Sequence, residues 1–221
     1  MKKFNLILVL LVFGLIMFIS GCGSSSSGGG TQVTAIYVES SVITEFGGTI
    51  HVNQNNSGGA VITDATVTVN GVNFPFNPVN NTYHKWQEGF HVNAGDTVTV
   101  TVSWNGMTVT GQGTMPYPAT ITSPISDSSH NIASATDVAW NFGSNPLPGY
   151  IEVSGTDPYY GSDSLPGNSV NYTIPANTFT VGDGGVWVYA YNDGYGFTGP
   201  AGTGSDIITR QESYVAVVWT N

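Results

Sequence analysis

The stretch TVTVTVSWNGMTV, residues 97–109, decides the fold class of this chain. Up to position 104, apolar residues alternate with hydroxylated ones, so one face of the predicted strand is apolar and the other is polar. Asn105-Gly106 then provides the pair that a two-residue type I′ turn requires, because both positions need positive φ. Such a turn sets apolar residues opposite each other: Trp104 opposite Met107, and Val102 opposite Val109. The stretch therefore predicts an antiparallel hairpin with one buried face.

A second hairpin of the same kind is predicted around Asn70-Gly71. Pairing across this turn predicts three apolar pairs: Val69 with Val72, Val67 with Phe74, and Ala65 with Phe76. Pro75 has no N–H to donate, which indicates a sheet edge or an early end to the pairing. Further strands are expected near residues 33–39, 49–52 and 83–86. Together these segments predict a first β-domain over residues 31–117.

Two prolines, Pro116 and Pro118, mark the predicted domain boundary, because neither residue can continue a central strand. Beyond them, short segments rich in Val, Ile and Tyr alternate with Gly, Asn and Pro, which predicts a second β-domain over residues 118–221. The expected strands of this domain lie near residues 138–142, 150–153, 170–174, 186–191 and 214–219. No window after residue 31 has helical periodicity, so the predicted class is all-β.

Both predicted domains resemble known β-sandwich families. The stretch DATVTVNG, residues 64–71, with Ala94-Gly95-Asp96-Thr97 downstream, resembles small Ig-like or transthyretin-like modules of bacterial surface proteins. Asp137-Val138-Ala139-Trp140 and the alternating segment 186–192 resemble the second and penultimate strands of fibronectin type III domains. Gly184 departs from that pattern, since the family usually has a Tyr there. The resemblance implies two tandem Ig-like β-sandwiches, each large enough for one core.

The amino-terminal segment has the three parts of a secretory signal peptide: Lys2-Lys3, an apolar stretch over residues 6–19, and small residues up to position 21. The apolar stretch is shorter than the roughly 20 residues that span a bilayer. Ile19-Ser20-Gly21-Cys22 resembles the lipobox of bacterial lipoproteins. The resemblance implies cleavage after residue 21 and a diacylglycerol thioether on Cys22. Residues 23–30, GSSSSGGG, form a predicted flexible tether that follows the lipidated cysteine.

The residue after Cys22 indicates which membrane carries the protein. Residue 23 is Gly and not Asp, which by resemblance to Gram-negative lipoproteins implies the outer membrane. The expected location is the cell envelope, and the lipid anchor makes the membrane itself a partner. Other expected partners are envelope proteins or glycans.

Charge excludes several function classes. The chain has 14 acidic and four basic residues, and only Lys85 and Arg210 lie beyond the leader, so cleavage before Cys22 would leave a formal charge of −12. Nucleic-acid binding is excluded, because phosphate contacts need clustered basic residues. One cysteine forms neither an internal disulfide nor a zinc site. Four scattered histidines and the absence of a nucleophile elbow or P-loop predict no catalytic site, metal or cofactor.

Aromatic residues supply the candidate ligand site. If Val186, Val188 and Ala190 point inward, then Trp187, Tyr189 and Tyr191 line the outer face of one strand and form a stacking platform for sugars. Two further candidates, Tyr159 and Tyr160, lie in a Gly/Ser/Pro loop. Three alternatives are open: the aromatics point inward, the Gly-rich segment 194–205 covers them, or they pack against the first domain.

The sequence therefore predicts an anchored, non-catalytic envelope protein with a display, adhesion or structural role. The alternative function is a carbohydrate-binding module that uses the aromatic platform.

Overall fold

Every regular element in the described part of the chain is a β-strand. The computed structural model describes residues 33–43, 47–86, 90–156, 158–194 and 196–221, and the predicted leader 1–21 and the linker 22–30 lie outside these ranges. The first eight strands are β1 (Ile36–Ile43), β2 (Gly47–Gln54), β3 (Thr66–Val69), β4 (Val72–Asn73), β5 (Phe76–Asn77), β6 (Thr82–Lys85), β7 (Thr97–Trp104) and β8 (Met107–Thr114). The remaining strands are β9 (Thr120–Ser123), β10 (Ser128–Asn131), β11 (Thr136–Asn141), β12 (Tyr150–Gly155), β13 (Tyr160–Gly161), β14 (Leu165–Pro166), β15 (Asn171–Ile174), β16 (Gly182–Gly194) and β17 (Asp206–Thr220). The predicted all-β class is confirmed.

The strands form three sheets. The largest sheet has the order β13-β12-β16-β17-β1-β2-β6-β5, and β10 and β14 pair with β17 and β12. A four-stranded sheet has the order β4-β3-β7-β8, and a three-stranded sheet has the order β15-β11-β9. Strand β1 runs parallel to β17, with Glu39 opposite Asp206 and Ile43 opposite Arg210. The largest sheet therefore runs through both predicted domains.

The hairpin of residues 97–109 forms as predicted. Asn105 and Gly106 have φ values of 47° and 76°, as a type I′ turn requires. Trp104 pairs with Met107, and Val102 pairs with Val109. Both predicted pairs are confirmed, because turn geometry and face pattern specify the same register.

The second hairpin is shorter than predicted. Val69 pairs with Val72, and the Phe74 N–H donates to the Val67 carbonyl at 2.9 Å. The expected pair of Ala65 with Phe76 is wrong, since Phe76 pairs with Tyr83 in the largest sheet. Pro75 cannot donate to the ladder, and the chain crosses from one sheet to the other at this point.

Two apolar cores fill the space between the sheets. The first core lies between β1, β2 and β6 of the largest sheet and the four-stranded sheet, and includes Val38, Ile50, Val67, Val100 and Ile207. The second core lies between β12, β16 and β17 and the three-stranded sheet, and includes Val138, Trp140, Val153, Val188 and Trp219. Sheets packed face to face over a buried core form a β-sandwich, so the predicted sandwich fold is confirmed.

Strand β17 takes part in both cores. Ile207 near its start belongs to the first core, and Trp219 near its end belongs to the second. Between them, the Thr209 hydroxyl donates to the Thr114 carbonyl at 2.7 Å, and the Ser213 hydroxyl donates to the Ala119 carbonyl at 2.6 Å. These bonds fix the proline-containing connection against the strand. The predicted boundary between residues 117 and 118 stays a prediction.

Candidate functional site

The alternation of side chains along β16 positions the candidate aromatics. Val188 and Ala190 are fully buried in the second core, as is Val186. Successive side chains of a strand point to opposite faces, so Trp187, Tyr189 and Tyr191 lie on the outer face of the largest sheet. All three are half-buried.

Neighbouring strands add two aromatic residues that sequence reasoning missed. Strand β12 places Tyr150 opposite Tyr191, and β17 places Tyr214 opposite Trp187. The Tyr150 and Tyr191 rings stack with centroids 4.5 Å apart and planes 4° apart, and the Trp187 and Tyr214 rings lie 4.7 Å apart. The aromatic surface is defined here by five residues: Tyr150, Trp187, Tyr189, Tyr191 and Tyr214.

Gly185 lets the Trp187–Tyr214 pair lie close against the sheet. A Cβ atom at this position would lie 2.3 Å from Cε2 of Tyr214 and 2.9 Å from Cη2 of Trp187. Both distances are shorter than van der Waals contact, so a larger residue would push the two rings away from the backbone. The glycine therefore supports the shape of the aromatic surface.

Charged groups lie among the rings. The guanidinium carbon of Arg210, the only arginine of the sequence, is 5.0 Å from the centroid of the Tyr189 ring, which is cation–π distance. The Tyr191 hydroxyl donates to Glu152 at 2.8 Å. Arg210 also lies 4.0 Å from Glu212. One positive and two negative side chains leave this part of the surface with a formal charge of −1.

The tyrosine hydroxyls of the surface stay protonated. Burial raises the pKa of Tyr191, and the neighbouring Glu152 carboxylate raises it further. Burial also raises the pKa of Tyr189. Because an unperturbed phenol already titrates near pH 10, both groups are neutral hydrogen-bond donors and acceptors in the physiological range. The surface thus combines flat apolar ring faces with polar groups at their edges.

The structure separates the two loop tyrosines. Tyr159 is 49% exposed, and burial followed by the Glu152 carboxylate raises its pKa. Tyr160 packs against the second core, with its ring edge-on to Phe179 at 6.4 Å and its hydroxyl hydrogen-bonded to that of Tyr172. Tyr159 therefore lies close enough to the aromatic surface for the Glu152 charge to affect its pKa, whereas Tyr160 takes part in core packing.

The Gly-rich segment after β16 packs on the first half of the molecule. The Phe197 ring fills the space above Gly111, where a Cβ atom would lie 2.7 Å from the ring. Thr198 bridges to Thr110 of β8, and Ala201 bridges to the start of β1. These contacts place residues 197–201 against the first core.

Other expectations concern Cys22, metal sites and membrane spans. Cys22, the predicted lipidation site, lies outside the described residues. Within the described ranges, no three His, Cys, Asp or Glu side chains are grouped so that they could hold a metal ion. The same part of the chain contains no helix of the length and apolarity that crossing a bilayer takes.

Comparison with known proteins gives similarity to solved structures only. No protein-family model and no curated protein matches the sequence. The chain is similar to a two-domain fibronectin type III segment of chicken tenascin, with 10% identity and a TM-score of 0.28 over 81% of this chain and 98% of that chain. It is also similar to the BSP domain of a biofilm associated protein, with 13% identity and a TM-score of 0.27 over 84% of this chain and 29% of that chain. For Sidekick-1 immunoglobulin domains 1–5, the identity is 12% and the TM-score 0.23, over 84% of this chain and 39% of that chain.

Proposed function

We propose that this chain is a non-catalytic adhesion protein of the cell envelope that binds glycans through its aromatic surface. The observation that carries the proposal is the group of five aromatic side chains on one outer sheet face. Tyr214 is 53% exposed, and Trp187, whose ring lies 4.7 Å from it at a tilt of 39°, is half-buried. Contiguous aromatic area on a sheet face is costly to leave in water and is typical of an interaction site.

The chemistry of the surface suits sugar rings. A pyranose ring presents C–H groups on its flat faces and hydroxyls around its rim. The C–H faces pack on Trp and Tyr rings, and carboxylate, phenol and guanidinium groups accept from or donate to the hydroxyls. Glu152 and Arg210 supply such groups beside Tyr189 and Tyr191.

Charge favours a neutral glycan. The chain carries a formal charge of −10, and the three charged side chains at the surface add to −1. A polysaccharide rich in uronate or sialate would be repelled by this field. The aromatic residues of β16 extend from Trp187 to Tyr191, four steps along the strand or about 13 Å at the usual rise per residue. An extended chain with equatorial linkages, such as a β-1,4-linked glucan or chitin fragment, fits a surface of that shape.

The binding test uses the full-length chain in detergent on a glycan array, followed by titration of tryptophan fluorescence with β-1,4-linked hexasaccharides. We expect a neutral β-linked glycan to bind and to quench tryptophan emission, and Trp187→Ala to weaken binding at least tenfold. Trp86→Ala is the matched control, because Trp86 is 48% exposed and lies outside the aromatic surface. No response to any glycan would overturn the proposal.

The lipid anchor at Cys22 is the second part of the proposal and has its own test. It is supported by the resemblance of Ile19-Ser20-Gly21-Cys22 to a lipobox and by the flexible tether that follows. Two or more acyl chains hold a protein stably on a bilayer, whereas one chain does not. Intact-mass spectrometry of the protein from native membranes should give a chain that begins at Cys22 with an acylated glycerol on its sulfur. A chain that begins at Met1, or a Cys22 without lipid, would contradict the anchor.

A structural or display role is the second candidate function. It is supported by the continuous sheet, in which β1 and β17 join the two predicted domains. Cross-linking in intact cells tests it: a purely structural protein would capture the same envelope proteins when Trp187 is replaced by Ala. Loss of those partners in the variant would instead favour the aromatic surface as the binding site.

A further inference from the structure

A cleft of about 590 Å³ opens where the end of β16 meets β8. The two strands come close because both positions at the contact are glycine: a Cβ atom on Gly194 would lie 2.8 Å from Cα of Gly113. The volume lies within the range of clefts that hold small organic ligands. The cleft lies beside the aromatic surface and shares one residue with it, Tyr150.

Polar side chains surround the cleft. Thr97 and Thr114 lie opposite each other in the ladder of β7 and β8, and both are exposed. Gln112 and Asp193 line the same cleft, and the Gln112 amide donates to Thr99 at 3.2 Å. Hydroxyl, amide and carboxylate groups are the donors and acceptors that recognise sugar hydroxyls.

Tyr150 belongs to both the cleft and the aromatic surface. It lines the cleft, and its ring stacks on that of Tyr191. The residue before it is held firmly, because the Gly149 N–H donates to the Tyr191 carbonyl and to Oδ1 of Asn192, each at 2.8 Å. The Asn192 amide in turn donates to the Thr114 carbonyl at 3.0 Å across the cleft. Tyr150 is thus a preorganised wall between the two regions.

We propose that the cleft is a glycan subsite that holds one pyranose ring while the following rings of the same chain stack on the aromatic surface. The inference builds on the proposed glycan binding and names the part of the site that sets ligand length and orientation. A ring in the cleft packs a C–H face on Tyr150 and directs its hydroxyls toward Gln112, Thr114 and Asp193. The ligand is a neutral, equatorially linked oligosaccharide with one end in the cleft.

The test measures the affinity of the full-length chain for mono- to hexasaccharides of β-1,4-linked glucose and β-1,4-linked N-acetylglucosamine. For wild type, affinity should rise with chain length until both regions are filled. Gln112→Ala and Asp193→Ala should each weaken hexasaccharide binding about tenfold, the size expected for one lost hydrogen bond in a binding site. Both changes should leave the disaccharide affinity nearly unchanged, because a disaccharide stacks on the aromatic surface alone.

Thr108→Ala is the matched control, since Thr108 lies on the same face of β8 as Gln112, about 13 Å further along the strand. Thermal unfolding of each variant verifies that the fold is intact. If hexasaccharides bind, Trp187→Ala weakens them and both cleft variants bind like wild type, the subsite is overturned while glycan binding stands. If no oligosaccharide binds the wild-type chain, glycan binding and the subsite fail together.

Discussion

The lack of a side chain at Gly184 makes room for a core residue, Trp219. A Cβ atom on Gly184 would lie 2.2 Å from Nε1 of Trp219, well inside van der Waals contact. Trp219 is buried and stacks on Phe179 with centroids 4.2 Å apart. The absence of a side chain at Gly184 therefore leaves room for the buried indole.

Replacing Gly184 by Ala should lower the free energy of unfolding by about 1–3 kcal/mol, because overpacking displaces the indole. Urea denaturation of the variant and of wild type measures the difference. Gly58→Ala is the control, since its Cβ would find only the Asn56 side chain, at an ordinary 3.6 Å. An unchanged urea midpoint in Gly184→Ala would contradict this prediction, because it would mean that the Trp219 side chain moves aside without a loss of stability.

Asp206 makes stability depend on pH. Burial, together with smaller contributions from the Glu39 and Asp193 carboxylates, raises the pKa of Asp206 from 3.8 to about 6. The folded state therefore binds the proton more tightly than the unfolded state, so the stabilisation from protonation is complete below about pH 4. It is lost as the pH rises toward 6.

Asp206→Asn should be more stable than wild type at pH 7 and should lose this pH dependence between pH 4 and 6. Thermal unfolding at half-unit pH steps provides the measurement, with Asp96→Asn at an exposed turn as the control. A variant whose melting temperature follows the wild-type pH curve through this window would contradict the assignment to Asp206.

Among the strands, local pairings were predictable and distant ones were not. The hairpin at Asn105-Gly106 has its turn and both apolar faces in adjacent residues, so the sequence specifies its register. The parallel pairing of β1 with β17 joins segments more than 160 positions apart, and no turn residue signals it. The partner of β1 therefore could not be predicted from the sequence and is given only by the structure.

The candidate site follows the same division. Alternation along β16 predicts which aromatics share a face, whereas Tyr150, Tyr214 and Gly185 join them only through the register of neighbouring strands. The separation of Tyr159 from Tyr160 was not predictable, because the sequence places both in one loop, whereas in the structure Tyr159 lies in a turn and Tyr160 begins β13.

Thr209 binds β17 to the end of β8, just before the proline-containing connection between the two cores. Its side chain is fully buried, and its hydroxyl donates to the Thr114 carbonyl. Thr209→Val keeps the shape and removes the donor, so it should cost about 1 kcal/mol. Urea denaturation is the measurement, and the exposed Thr108→Val should stay within about 0.5 kcal/mol of wild type. Equal midpoints for Thr209→Val and wild type would contradict a stabilising role for this bond.

The molecule should unfold as one cooperative body. Residues Val33–Asn221 form one compact unit, and β17 supplies Ile207 to the first core and Trp219 to the second. Calorimetry of the full-length chain should give a single transition whose calorimetric and van't Hoff enthalpies agree. Residues 31–117 produced separately should fail to fold, because they lack Ile207 and the strand beside β1. Two resolved transitions would contradict this prediction.

The parallel ladder between β1 and β17 also has a mechanical consequence. Anchored through the proposed lipid, the protein would be pulled at the start of β1, while a glycan would hold it at Trp187 and Tyr214. Strand β1 points from Ile36 toward the end of β17 that carries Tyr214, so tension would run along the ladder. Its hydrogen bonds would then share the load in shear instead of opening one after another, which is the geometry that best resists detachment under flow.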